Sequence, residues 1–529
     1  MATEAETDGM SDIVESPRIE AAPLPLPLNG QASNSPRRRR QSTKNTANSP
    51  PLPGTPQAHI SPSSPRAHGM TYSHSLYIHT TVRASPLSKE SPEQNYRGLL
   101  NLAMILLFVS NMRLVVENYF KYGLLIRLPS VEQQELMQEM PFLVLAILIQ
   151  AGHVLIAYSL ELAALYISSP KLKTAKRVVT KPNALLDLII AILQHVNTLG
   201  GVTVACFIVW YKIFHPLAAF TVVVAATVTS LKLFSYTMVN RDLRISTVDK
   251  KYEDKDSRVA EPLDGLKQES ALQEVPYPSN LVLEDILLFW VLPTLVYQTS
   301  YPRTTFRWDF CVKRLGEVIF CLVALYSIAS QYAAPTLANS LLYLEKGDSV
   351  KLAERVMKLS VISVMMWLTM FFGFFHAWMN LLAEITRFGD RRFYLPWWNS
   401  SDIAQYWRLW NAPVYNWSKR HVYLPLVVNH KFSSAAATAI VFVVSAVLHE
   451  VIIGVPLHNI NFWAFNGMMM QLPLIYLSRY LDHLRGKYFP SNKNLFDNLG
   501  NVLFWVSFTI VGQPTITLMY YAQYVSNRH

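Results

Sequence analysis

The sequence predicts an all-α, polytopic membrane protein, and three observations carry that expectation. Apolar residues make up 51% of the 529 positions and charged residues only 16%, where ordinary soluble domains carry roughly 25% charged residues. The mean hydropathy is positive at +0.18 in spite of a long polar head. Beyond that head lie about nine apolar runs of roughly 20 residues or more, each able to cross a hydrocarbon core about 30 Å thick at about 1.5 Å per residue. A net charge of +11 is compatible with nucleic acid, but the basic residues sit in the head and between apolar runs, where positive-inside bias puts them. The charge therefore points to membrane lipid and a phosphorylated co-substrate, with no nucleic-acid partner.

Residues 1–95 are rich in Pro, Ser, Asn and Arg and too poor in large apolar groups to offset the entropy of ordering, so they form a disordered head. No signal peptide is expected, because the first apolar run starts only near Gly98. Ser-Pro or Thr-Pro pairs at Ser16, Ser35, Ser49, Thr55, Ser61, Ser64, Ser85 and Ser91 flank the basic run Arg37 to Arg40. Phosphorylation there would weaken attraction to anionic lipid; otherwise the head is solvated low-complexity sequence.

The spans are expected at about 98–118, 142–167, 185–211, 216–239, 313–335, 355–384, 432–457, 461–481 and 499–524. A further apolar stretch, Leu281 to Val296, contains Glu284, Asp285 and Pro293 and reads as interfacial or re-entrant. Lys and Arg gather in the head and in every second loop, which orients the N-terminus to the cytosol and the C-terminus to the lumen. A cytosolic head without a cleaved signal suggests the endoplasmic reticulum membrane.

Ionisable residues inside spans mark function by default, since a charge at a span centre costs roughly 2.5–3.5 kcal/mol. His449 and Glu450 interrupt the run Phe432 to Leu457, and His376, Asn380 and Glu384 share one helical face in the sixth run. Either group lines an internal chamber or staples helices together. Between these runs lies a long loop dense in aromatics, Trp397, Trp398, Trp407, Trp410 and Trp417 with Tyr394, Tyr406, Tyr415 and Tyr423, forming an amphipathic cover at the interface. An aromatic belt does not explain why Asn399 and Asn411 each follow a tryptophan. Asn466, Gln471 and Gln513 are further polar residues in the last runs, Gln513 between Gly512 and Pro514. A zinc hydrolase helix would need a second histidine at Ile453, and Cys206, Cys311 and Cys321 lack metal-ligand spacing.

Several ordered motifs, FGDRRFYLPWWNS (388–400), RLWNAPVYNWSKRHVY (408–423), SAVLHE (445–450), FWAFNGMMMQLPL (462–474) and GQPTITLMYY (512–521), resemble the membrane-bound O-acyltransferase superfamily. Within it the chain is most similar to the type-one diacylglycerol acyltransferases, from about Tyr96 to the C-terminus, so that residues 96–529 form one acyltransferase domain. The resemblance implies that His449 is the catalytic histidine and Asn411 its partner. It further implies that Glu450, Met468, Gln471 and Gln513 line a buried reaction chamber, with Tyr394, Trp397, Trp398, Asn399 and Tyr423 on the acyl-CoA side. It implies a homodimer held partly by the segment near 70–95. Two departures stand out: Pro396 replaces the usual acidic residue before Trp-Trp-Asn, and Tyr415-Asn416 replaces the usual His-Lys.

The implied chemistry has clear needs. A hydroxyl attacking a thioester needs a base within hydrogen-bond reach, and histidine, with a pKa near neutrality, suits that role. Asn411 or Gln471 would orient the imidazole or donate to the developing oxyanion, while Glu450 points about 100° away around the helix. Lys419, Arg420 and Lys431 are candidates for the nucleotide phosphates of acyl-CoA, the sole co-substrate; no metal or other cofactor is required. Diacylglycerol would enter sideways from the bilayer. A sterol acyltransferase shares the catalytic pair, and a polytopic transporter would also carry intramembrane His, Asn and Glu, although no internal repeat is visible.

Overall fold

The structure, a computed structural model, describes residues 79, 81–88, 91, 95–120, 133–168, 184–252, 275–488 and 493–526. The expectations for the head and its basic run, for most Ser-Pro pairs and for much of the segment near 70–95 lie outside these residues. Among the described residues the chain is helical, with no strand and two isolated bridges, Arg83 with Asp390 and Arg303 with Phe388.

In order the helices are α1 (Arg97–Phe120), α2 (Gln133–Ser168), α3 (Ala184–Lys212), α4 (Pro216–Tyr252), α5 (Leu283–Val291), α6 (Trp308–Ile328), α7 (Ala334–Glu345), α8 (Ser349–Phe371) and α9 (Met379–Ile385). The aromatic loop contributes α10 (Ile403–Leu409), α11 (Ala412–Ser418) and α12 (Leu424–Val428). Then follow α13 (Ser434–Gly454), α14 (Trp463–Met469), α15 (Gln471–Tyr488), α16 (Lys493–Val506) and α17 (Gln513–Ser526). π-helical turns at Ala329–Ala333, Phe372–Trp378 and Ser507–Gly512 join α6 to α7, α8 to α9 and α16 to α17.

Among the described residues six helical segments are long and apolar enough to cross a membrane: Met137–Ile167, Leu185–Lys212, Pro216–Ser246, Ser349–Ile385, Ser434–Gly454 and Phe496–Ser526. The remaining three expected runs fall elsewhere. Run 98–118 lies in α1, run 313–335 is divided by the π turn at Ala329–Ala333, and run 461–481 is split at Met470 between α14 and α15. The stretch from Leu281 holds only the nine-residue α5, about 13 Å long and too short to cross. The backbone after it, through Leu292, Thr294, Val296, Tyr297 and Gln298, is irregular yet buried, the one setting in which such backbone is tolerated at membrane depth.

Polar ties inside the apolar helices fix their packing. Glu161 of α2 pairs with Arg244 of α4 and accepts hydrogen bonds from Gln194 of α3 at 2.9 Å and from the Tyr277 hydroxyl at 3.3 Å. The Asn197 amide of α3 donates to the His153 carbonyl of α2 at 2.9 Å. Lys232 of α4 is buried, and its Nζ donates to the carbonyls of Phe289, Trp290 and Leu292 at 3.0, 2.8 and 2.5 Å. The Phe289 and Trp290 carbonyls end α5 without a partner inside the helix, so an ammonium there caps both the dipole and these orphan acceptors. The sequence reading singled out neither Glu161 nor Lys232, although each interrupts an apolar run.

Candidate active site

The helix carrying the candidate base begins where the Ser433 hydroxyl accepts from the Ala436 amide at 3.2 Å, a standard N-cap. It ends at Gly454, where a Cβ would stand 2.9 Å from the Asn459 carbonyl, so only glycine lets the returning chain pass so closely. His449 lies half-buried just before that end, with its Nδ1 2.7 Å from the Ser445 carbonyl oxygen and 3.4 Å from the Ser445 hydroxyl. A carbonyl only accepts, so Nδ1 carries the hydrogen and, in the neutral ring, Nε2 carries the lone pair. Among the described residues no hydrogen bond occupies Nε2.

Glu450 faces elsewhere and is buried. One carboxylate oxygen accepts from the Asn461 amide at 3.1 Å and the Phe462 amide at 2.8 Å. The other accepts from the Phe465 amide at 3.1 Å and the Tyr520 hydroxyl at 2.8 Å. These are the orphan amides at the start of α14, where a carboxylate is favoured by the helix dipole. The same bonds hold Phe462 in a left-handed conformation with φ of 60°, which costs a residue with a side chain about 1–2 kcal/mol. Glu450 therefore joins α13, α14 and α17, and no hydrogen bond connects it to His449.

Asn411 caps α11, its Oδ1 accepting from the Val414 amide at 3.2 Å. No hydrogen bond joins Asn411 to His449, and its amide donors make none among the described residues. The Tyr423 hydroxyl shares a 2.6 Å hydrogen bond with Ser434, fastening the end of the aromatic loop to the start of α13. Around Lys419, burial and then the nearby Arg408 hold the ammonium below its ordinary range. Arg420 is buried, whereas Lys431 is exposed with φ of 58°.

The motif Tyr394 to Asn399 is brought against the N-terminal segment. Tyr394, Trp397 and Trp398 are buried. The Tyr394 hydroxyl lies 2.7 Å from His376 Nδ1 and accepts from the Ser85 hydroxyl at 3.0 Å. Trp398 Nε1 and the Asn399 amide both donate to the Asn95 carbonyl, and Asn399 Oδ1 accepts from the Gly98 amide. Asn501 of α16 donates to the carbonyls of Trp398 and Ser400 at 2.9 and 2.8 Å. With Trp367 packed edge-on against Trp397 at 4.9 Å, this is the centre of the main apolar core. On the face of His376, Asn380 and Glu384, Glu384 and His376 do the work of a staple, Glu384 accepting from Arg307 and Arg391 and His376 meeting the Tyr394 hydroxyl, while Asn380 donates to the His376 carbonyl of its own helical segment.

A second polar cluster escaped the sequence reading. His79 Nδ1 lies 2.7 Å from Asp390, and its Nε2 lies 2.7 Å from the Thr294 hydroxyl. Burial works against the Asp390 charge, but the His79 bond and the nearby Arg83 hold its carboxyl below the usual range. Residues so far apart in sequence leave no periodic signal.

Residues 204–523 match the model of the membrane-bound O-acyltransferase family. The chain is 35% identical over 459 residues to diacylglycerol O-acyltransferase 1-2 of Oryza sativa subsp. japonica, covering 85% of this chain and 86% of that one. It is 35% identical over 454 residues to diacylglycerol O-acyltransferase 1A of Glycine max, covering 85% and 82%. Diacylglycerol O-acyltransferase 1 of Arabidopsis thaliana is 34% identical over 457 residues, covering 85% and 78%. The family match contains every candidate residue from Tyr394 to Gln513; this chain belongs to the membrane-bound O-acyltransferase family.

Proposed function

We propose that this protein transfers a fatty acyl group from acyl-CoA to the free hydroxyl of diacylglycerol, forming triacylglycerol. The observation that carries the reading is the agreement, over 85% of the chain, with relatives named for that acceptor. The His449 geometry supplies the chemistry, because Nδ1 is committed to the Ser445 carbonyl and Nε2 is left to accept a proton. The hydroxyl oxygen attacks the thioester carbonyl while its proton moves to Nε2. The tetrahedral intermediate then expels the CoA sulfur, which leaves as the thiol with that proton. The amide donors of Asn411 are assigned to the oxyanion, a contribution of about 3–4 kcal/mol where such donors are well placed.

In this reading Met468, Gln471 and Gln513 line the chamber. Glu450, with both oxygens occupied, holds the chamber wall. Tyr394, Trp397 and Trp398 from within the core, with Asn399 and Tyr423, shape the acyl-CoA side, and Lys419, Arg420 and Lys431 lie towards its phosphates. Acyl-CoA is the co-substrate, and the reaction as written needs no metal. The six long apolar helices, with α1, α6 to α7 and α14 to α15, make nine crossings of the endoplasmic reticulum membrane. The N-terminus is cytosolic and the C-terminus lumenal, supported by the distribution of Lys and Arg. A homodimer forms through the segment before α1.

The test is acyl transfer in microsomes from labelled acyl-CoA with diacylglycerol and sterol offered together, for the native chain and His449→Ala. Triacylglycerol made by the native chain and lost in the variant is expected. Sterol ester instead would overturn the acceptor, and no product from either acceptor in folded protein would favour transport.

A further inference from the structure

A groove of about 760 Å³ lies along α3 and α4, far in sequence from the candidate base. Its wall is Leu188, Ala191, Ile192, Val196 and Leu199, with His195 among them and Asp187 and Arg241 at one end. The His195 Nδ1 is already engaged by the Ala191 carbonyl at 2.6 Å. Because α3 and α4 are antiparallel neighbours joined by a short turn, Asp187 near the start of one and Arg241 near the end of the other share a side of the bundle. From Asp187 to Leu199 is about 18 Å along the helix, close to the depth of one leaflet of a hydrocarbon core about 30 Å thick. The groove therefore has about the length of an acyl chain within one leaflet, with two oppositely charged residues at one end.

Asp187 Oδ1 is shielded from solvent and has no hydrogen-bond partner among the described residues. The residue as a whole is half-buried and lines the groove, so its carboxylate is open to a donor from a ligand, and no ion pair joins it to Arg241 among the described residues. A carboxylate without a donor beside a guanidinium complements a headgroup with an ammonium and a phosphate. Choline carries no N–H, whereas a primary ammonium offers three donors. We propose that this groove is a selective site for an ethanolamine phospholipid, with its ammonium on Asp187, its phosphate on Arg241 and one acyl chain against Ile192, Val196 and Leu199.

The experiment is native mass spectrometry of the full chain in detergent, offered equal amounts of ethanolamine, choline and glycerol phospholipids with matched acyl chains. Preferential retention of the ethanolamine lipid is expected. Asp187→Asn should reduce its preference over the choline lipid by about tenfold, the effect of one charge-assisted hydrogen bond. Arg241→Gln should reduce retention of all three, and Ile192→Trp, which fills the slot, should abolish the site while acyl transfer persists as a check on folding. Equal retention of the three lipids, a preference unchanged in Asp187→Asn, or retention unchanged in Arg241→Gln, would overturn the proposal. So would a change of oligomeric state in Ile192→Trp with lipid retention intact, because the groove would then be covered by a second copy of the chain.

Discussion

Replacing Glu450 by glutamine separates its structural work from the chemistry of its neighbour. Each carboxylate oxygen accepts two hydrogen bonds, from Asn461 and Phe462 on one side and from Phe465 and Tyr520 on the other. Glutamine keeps one acceptor oxygen and turns an amide group towards two donors. With hydrogen bonds to a charged group worth about 1.5–3 kcal/mol each, losing two costs about 3–6 kcal/mol. The left-handed Phe462 loses its restraint at the same time, so α14 should detach from the end of α13. Thermal unfolding in detergent and acyl transfer at matched protein amounts are the assays. Glu450→Gln should lower the unfolding midpoint and the activity together, whereas His449→Gln should lose transfer with its midpoint nearly unchanged. A Glu450→Gln protein that unfolds at the native midpoint but is inactive would refute this reasoning and make the carboxylate a chemical participant.

Other outcomes are expected elsewhere. Asn411→Asp keeps the helix cap but removes the amide donors; turnover should fall about 10²–10³-fold if those donors serve the oxyanion, and full turnover would reduce Asn411 to a cap. Burial pushes the Asp285 carboxyl up to about 6, against the opposing bond from the Tyr297 hydroxyl. A value raised above the unfolded one means stability present at low pH and lost as pH rises through about 6, on the order of 2–3 kcal/mol between about pH 4 and 7. Asp285→Asn should flatten that part of the stability profile, and an unchanged slope would contradict the assignment. At Gly98 a Cβ would overlap the Trp398 carbonyl, so Gly98→Ala should destabilise by about 1–3 kcal/mol, read as faster proteolysis between α1 and α2; native resistance would show that α1 can shift.

Much of the helical plan was legible because length and apolarity are local properties. The run containing His449 became α13 with a serine cap at one end and Gly454 at the other, both visible in the sequence. The π turns at Phe372–Trp378 and Ser507–Gly512 were not legible, because helices apolar on every side carry no phase from which a slipped residue can be detected. The motif around Trp397 drew attention through its aromatic density, but its partners Asn95 and Gly98 lie some 300 residues earlier, and only the fold shows that it is the core's centre. Glu161 stood in an apolar run as visibly as Glu450 does. Its partner Arg244 is 83 residues away, beyond the reach of any helical period. Asn411 was legible as special, but its observed bond is to its own helix.

The ammonium of Lys232 has a consequence for the order in which the chain is built. Its carbonyl partners lie 57 to 60 residues downstream, so α4 enters the bilayer during synthesis before any of them exists. For that interval the helix carries a charged side chain that costs roughly 2.5–3.5 kcal/mol near a span's centre, offset by the apolar residues around it. The arrival of α5 then converts a temporary defect into a socket, and the returning backbone settles where α4 already waits with the donor it needs.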